Sequence, residues 1–200
     1  MVGRLRILLW VLVGLAAVGG VYLALNPPKP GTQVANGDLP LDTIGGPFTL
    51  LGSNGQPFSS ARLAGKPAAV FFGFTHCPDV CPTTLARLTK LRKQLAKGDD
   101  SFSIVFITVD PERDRPEEVG RYTTLFDTPV IGLTGSPAQI DQVKKQFGVF
   151  SQKVPTEGGD YSVDHTATVF LLDRNGKFVA TLSPDEGDEA ALDKLRRVTA

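Results

Sequence analysis

Two uninterrupted apolar runs of strand length, AAVFFGF (68–74) and FSIVFITV (102–109), stand on either side of a helix-period segment. A strand with no polar side is covered on both faces, so these runs predict α/β layers around a central sheet. Residues 80–97 supply the first covering helix. Leu85, Leu88, Leu91 and Leu95 share one face, and Gly98 supplies the stop. Asp114-x-x-Glu117 reads as a capping box ahead of a stripe made by Val119, Tyr122 and Phe126. PVIGLTG (129–135) is a short strand. Ser136-Pro137-Ala138-Gln139 is a second capping box, opening a helix with Ile140, Val143 and Phe147 inward.

The ends of the folded part follow the same logic. FTLLGSNGQPFS (48–59) reads as a hairpin with a Gly-rich turn. TATVFLL (166–172) and KFVATL (177–182) flank Asp173-Arg174-Asn175-Gly176, whose Asn-Gly pair favours a type I′ turn. A last helix over 187–199 places Leu192, Leu195 and Val198 inward. A strand that leads directly to a cysteine at a helix start, followed later by a hairpin and a closing helix, is the plan of a thioredoxin-like fold. The expected architecture is therefore a central mixed sheet flanked by helices, preceded by an N-terminal hairpin. Residues 148–164 (GVFSQKVPTEGGDYSVD) read as a flexible insertion that lets the following His165 swing.

The N-terminal region has a different chemistry. Residues 7–25, ILLWVLVGLAAVGGVYLAL, contain no charge, and nineteen residues at 1.5 Å each span roughly 28 Å of a ~30 Å bilayer core. Trp10 and Tyr22 lie near its two ends, and Arg4 and Arg6 precede it. These features predict a transmembrane helix with its N-terminus in the cytoplasm and the body exported. A bacterial inner-membrane anchor, single-pass and with the domain in the periplasm, is the simplest reading. Ala17-Val18-Gly19 keeps a cleaved signal peptide as the alternative, and both readings export the domain. The chain thus divides into an anchor (1–25), a Pro/Gly-rich linker (26–46) and a folded domain (47–200). The extended part of the linker reaches on the order of 45 Å, enough to search the membrane surface for a partner.

Charge and residue counts remove several functions. Lys plus Arg equals Asp plus Glu at 21 each, which gives no positive field for nucleic acid. The chain holds two Cys and two His, and its one Met is Met1. A four-cysteine zinc site and a thioether site in the folded part are both excluded.

What remains is concentrated in FGFTHCPDVCPTTL (72–85), which places Cys77 and Cys81 at a strand-to-helix junction. Cysteines four apart near a helix start share one face, and the helix N-terminus lowers their pKa values. Asp79 is placed to cap that helix. The pair can be a structural disulfide, a redox couple or a metal grip. Closing so short a loop constrains the unfolded chain little, which argues against a mere staple. Two thiolates suit a soft ion of low coordination number, and Cu(I) accepts two sulfurs and one imidazole. His165, in VDHTATVFLLD (163–173), is the candidate imidazole, because its strand is expected beside the one ending near Cys77. Asp164 or a backbone carbonyl would fix its tautomer. His76 reads as an exposed bystander.

FFGFTHCPDVCPTTL, TVDPERDRPE (108–117) and VDHTATVFLLD together resemble the Sco/SenC family of membrane-tethered copper proteins over residues 40–198. The resemblance implies a thioredoxin-like fold and copper bound by Cys77, Cys81 and His165. It also implies support for assembly of the dinuclear copper centre in subunit II of cytochrome c oxidase. Copper, as Cu(I) or Cu(II), is then the expected ligand. The expected partners are subunit II or its assembly factors, an upstream copper donor, a thiol reductant, and the membrane through the N-terminal helix, with no nucleic acid. The competing function is a thiol–disulfide oxidoreductase in which Cys77 and Cys81 are the catalytic redox pair. Metal binding requires His165 and dithiol exchange does not. A peroxide-reducing or redox-sensing role is compatible with the fold but has no specific residue behind it. Asp110-Pro111 with Arg113-Asp114 matches a family motif, read here as a strand-end turn plus a helix cap.

Overall fold

The runs without a polar side lie in the middle of one sheet. The computed structural model describes Trp10 and residues 43–157 and 159–200. Strands β1 (Thr49–Gly52) and β2 (Pro57–Ser59) form the N-terminal hairpin. β3 (Ala68–Gly73) follows, and α1 (Val80–Lys93) carries the chain to β4 (Ser103–Thr108). Next come α2 (Pro116–Thr123), β5 (Val130–Thr134) and α3 (Pro137–Phe147). A small pair, β6 (Ser151–Pro155) and β7 (Tyr161–His165), precedes β8 (Val169–Leu172), β9 (Phe178–Leu182) and α4 (Asp188–Thr199).

Seven strands make a mixed sheet in the order β2-β1-β5-β4-β3-β8-β9. β3, β4 and β5 are parallel, and β8 runs antiparallel beside β3 with Phe71 opposite Val169. The run β4-β3-β8-β9 is the thioredoxin plan, which β5 and the N-terminal hairpin extend. All residues of β3 and β8 are buried, as a strand covered on both faces requires. Alternation along β3 divides the core. Phe72 meets Phe147 and Phe170 on one face, with ring centres 5.3 and 6.0 Å away. Phe71 and Gly73 point to the other face, where α1 packs.

Several local expectations are corrected. α1 ends at Lys93 rather than Lys97, and a turn joins it to a short 3-10 segment at Gly98–Asp100. Asp79 stands at its N-cap, but the carboxylate accepts from Thr83 Oγ1 at 3.3 Å and caps no backbone amide. The N-cap of α2 is Arg115, and Asp114 is buried elsewhere. The capping box at Ser136 and Gln139 does form, and Gly148 ends α3 in the left-handed region. The β8–β9 turn is not type I′, because that turn needs positive φ at both central residues. Here Gly176 has positive φ and Asn175 does not. Asp173 Oδ1 instead accepts from the amides of Asn175 and Lys177.

The expected flexible insertion is a hairpin. β6 and β7 pair from Pro155 opposite Tyr161 to Ser151 opposite His165. Val163 is buried and Val154 and Tyr161 are half-buried, so a period of two was present behind Pro155 and the glycines. Ile44 packs against the core, and the Gly45 amide donates to the Gln146 carbonyl, so these residues lie on the domain. Among the described residues no helix is long and apolar enough to cross a membrane. The anchor expected over residues 1–25 lies outside the described residues, Trp10 excepted.

Candidate metal centre

The end of β3 and the start of α1 place the two sulfurs. Cys81 lies one turn before Leu85 on the face of α1 that enters the core, and both residues are 0% exposed. Room for its sulfur comes from Gly73, where a Cβ would stand 2.7 Å from Cys81 Sγ. Cys77 precedes the helix, so the two cysteines do not share a helix face as the spacing suggested. Cys77 sits instead on the turn, half-buried, with its amide donating to the Phe74 carbonyl. Its sulfur accepts the Cys81 amide N–H at 3.4 Å, one of the unpaired donors at the helix start. Both cysteines are free thiols.

The imidazole arrives from the end of β7. His165 Nε2 lies 3.4 Å from Cys81 Sγ, and the ligand atoms of Cys77, Cys81 and His165 all fall within 4.8 Å of one another. Nδ1 is 3.0 Å from the Thr166 carbonyl, an acceptor that keeps the proton on Nδ1 and turns the Nε2 lone pair to the sulfurs. The edges of Phe71 and Phe74 hold the ring, with centroids 6.1 and 5.8 Å away. His165 occupies a packed position at the end of β7. Asp164 is exposed and takes no part, so the carbonyl alternative holds. His76 points outward, its Nδ1 3.1 Å from Thr75 Oγ1 and 3.6 Å from Asp114 Oδ1, and it does not join the cluster.

A cleft of about 260 Å³ opens onto Cys77 and His165 between Pro78 and Val80 on one side and Ser162 and Ala167 on the other, and Cys81 lies behind them. A larger depression beside α2 and β5 contains no cysteine or histidine.

The two thiols differ sharply in acidity. Cys77 is held down at about 4, first by the hydrogen bond with Cys81. Burial opposes this, and His165 and the amides of Asp79 and Cys81 reinforce it. Cys81 moves upward, because its bond to Cys77 and its burial keep the proton on. A depressed folded pKa adds stability above the unfolded value and loses it as pH falls through the folded one. Through Cys77, the metal-free protein is expected to gain resistance to urea from about pH 4 up to the ordinary thiol value of 9.0. Alkylation of Cys77 by iodoacetamide is expected to reach its thiolate rate by about pH 6. A rate still climbing between about pH 8 and 9 would contradict this assignment.

The sequence reading missed a group of residues around the centre. Asp114, 0% exposed, accepts from the Thr75 amide at 2.9 Å, Thr75 Oγ1 at 2.6 Å and Thr108 Oγ1 at 2.6 Å. Asp110, 1% exposed, accepts from Tyr161 Oη at 2.9 Å and from Arg113 Nε. Their signal was the Asp110–Asp114 motif, whose partners Thr75 and Tyr161 lie 39 and 51 positions away.

A family model described as SCO1/SenC matches residues 37–200. A SCO2-like protein of Rickettsia prowazekii is 38% identical over 181 residues, which is 88% of this chain and 87% of that protein. The structure of Bradyrhizobium japonicum ScoI with copper bound aligns at a TM-score of 0.70 with 44% identity, over 78% of this chain and 99% of that one. Yeast Sco1 with copper bound aligns at 0.71 with 33% identity, over 78% and 87%.

Proposed function

This chain belongs to the SCO1/SenC family, and from that premise we propose that it is a copper metallochaperone whose cargo is held by Cys77, Cys81 and His165. The observation that carries the reading is the convergence of two sulfurs and one imidazole nitrogen within 4.8 Å. The donor set fits the ion. Thiolates favour Cu(I), imidazole extends the range to Cu(II), and among the described residues no second imidazole or third sulfur completes the tetrahedron that zinc prefers. Three donors hold copper while the cleft leaves one side open to an incoming ligand, so transfer proceeds by ligand exchange. The proposed recipient is the copper site of cytochrome c oxidase subunit II or one of its assembly factors, with an upstream copper donor loading the site. A thiol reductant keeps the pair reduced. The charge-free run over residues 7–25 behind Arg4 and Arg6 supports an inner-membrane anchor with the domain in the periplasm.

A second reading is favoured by one observation, the low pKa of Cys77 beside a protonated Cys81. In dithiol exchange the Cys77 thiolate attacks a partner disulfide, forming a mixed disulfide and releasing one partner thiolate. Cys81 then gives up its proton and displaces the second partner sulfur. The partner gains two electrons, and a Cys77–Cys81 disulfide remains for the external thiol reductant to reopen.

His165→Ala separates the readings. The copper reading expects Cu(II) affinity to fall by about a hundredfold or more, beyond the ~10–100-fold seen for outer partners of ligands. Cu(I) affinity is expected to fall less, since sulfur is the softer donor. Titration followed by the thiolate-to-Cu(II) absorption band and electron paramagnetic resonance reads the first, and competition with a Cu(I) chelator reads the second. Parental binding of both copper states in this variant would remove His165 from the site.

A further inference from the structure

We propose that the turn Asp110–Asp114 is the positioning element of the metal centre, a clasp that holds the cysteine loop with one end and the histidine hairpin with the other. The proposal rests on the copper reading above and assigns residues that reading leaves unused. One end is Asp114, whose buried carboxylate takes two hydrogen bonds from Thr75, two residues before Cys77. The Thr108 hydroxyl ties the same carboxylate to the end of β4, and the Asp114 carbonyl accepts from Thr134 on β5. The loop bearing Cys77 is thereby fixed to two strands of the central sheet.

The other end is Asp110 with Arg113. Asp110 accepts from Tyr161 Oη, and Arg113 Nη1 donates to the Tyr161 carbonyl at 2.9 Å and to Asp160 at 3.1 Å. The guanidinium lies over the Tyr161 ring at 3.7 Å and over Phe74 at 5.9 Å. Phe74 in turn presses its edge on the His165 ring. Lys153 also approaches the Tyr161 ring, at 4.5 Å, while bonded to Glu112 of the same turn. β6 and β7 pair with each other and not with the seven-stranded sheet. These contacts therefore tie the Tyr161 end of the hairpin to the turn after β4. Five consecutive residues so set the distance between the sulfurs and the imidazole, which lies at the far end of β7.

A positioning role predicts an effect that depends on His165. Tyr161→Phe removes one hydroxyl, and Arg113→Lys keeps the charge but loses the planar fork and the stacking. Each variant is expected to lower Cu(II) affinity about tenfold and to shift the copper hyperfine splitting, the size typical for partners that orient a ligand. Cu(I) affinity is expected to stay within about threefold, since the sulfurs are untouched. In the His165→Ala background the same changes are expected to add nothing further. In the metal-free protein, amide exchange over residues 151–165 is expected to quicken about tenfold relative to β3 and β4. Parental Cu(II) binding in both variants, or the same loss without His165, overturns the proposal, as does unchanged amide exchange. A parent protein that takes up no copper overturns the copper reading instead, and the exchange measurement still decides whether the clasp holds the hairpin.

Discussion

Cys81→Ala is expected to abolish tight copper binding, and Cys77→Ala to do the same. Four-donor thiolate and imidazole sites hold structural zinc with ~10–16 kcal/mol, about 2.5–4 kcal/mol per donor. At ~1.4 kcal/mol per decade, losing one donor of that size costs about two to three orders of magnitude in affinity. The two variants differ in what else they disturb. Cys81 is 0% exposed among α1 and β3 side chains, whereas Cys77 is half-buried on the turn. Cys81→Ser keeps the side-chain shape with an oxygen in place of the sulfur and serves as a second variant for the folding control. Competition with a Cu(I) chelator checks the prediction, with circular dichroism to confirm the fold. Retention of parental affinity by either alanine variant would mean that copper is held by other residues.

Gly73→Ala is expected to damage both stability and metal binding without touching a ligand. A Cβ at this position meets Cys81 Sγ at 2.7 Å, Phe106 at 2.9 Å and Phe71 at 3.1 Å. All three are fully buried, so none moves freely into solvent. Forcing a methyl into such a core costs ~1–3 kcal/mol. Displacing the Cys81 sulfur changes its distance to His165 directly, and displacing Phe71 moves a ring that packs on the imidazole. The expected result is a lower urea midpoint together with a weaker and spectrally altered Cu(II) complex. A variant as stable as the parent, with the same Cu(II) spectrum, would show that the sulfur does not need this space.

The parts of the fold that were readable in advance are those whose signal is local. The apolar runs of β3 and β4, the leucine face of α1 and the Ser136 capping box each carry their pattern within one element, and each formed. The converging trio Cys77, Cys81 and His165 was readable for another reason. Few residue types can bind a soft ion, and this chain offers two cysteines and two histidines. Asp114 shows where such reading ends. Asp-x-x-Glu satisfies a capping pattern, but the carboxylate turned inward because Thr75, 39 positions away, brings two donors to it. A local pattern does not record that competition. The same limit hid β6 and β7, whose alternation is interrupted by Pro155 and whose pairing is with each other rather than with the large sheet. The type I′ turn failed for a related reason, since the Asp173 side chain satisfied two amides and made positive φ at Asn175 unnecessary.

The small β6–β7 ladder gives the molecule a modular character. Its two strands share no backbone pairing with the seven-stranded sheet, yet one of them ends on His165, whose Nε2 faces the Cys81 sulfur. The hairpin is therefore held to the sheet by side chains, with Val163 in the core and Tyr161 under the Arg113 guanidinium. A different loop grafted between Val149 and Thr166 would have to replace those two contacts as well as the imidazole.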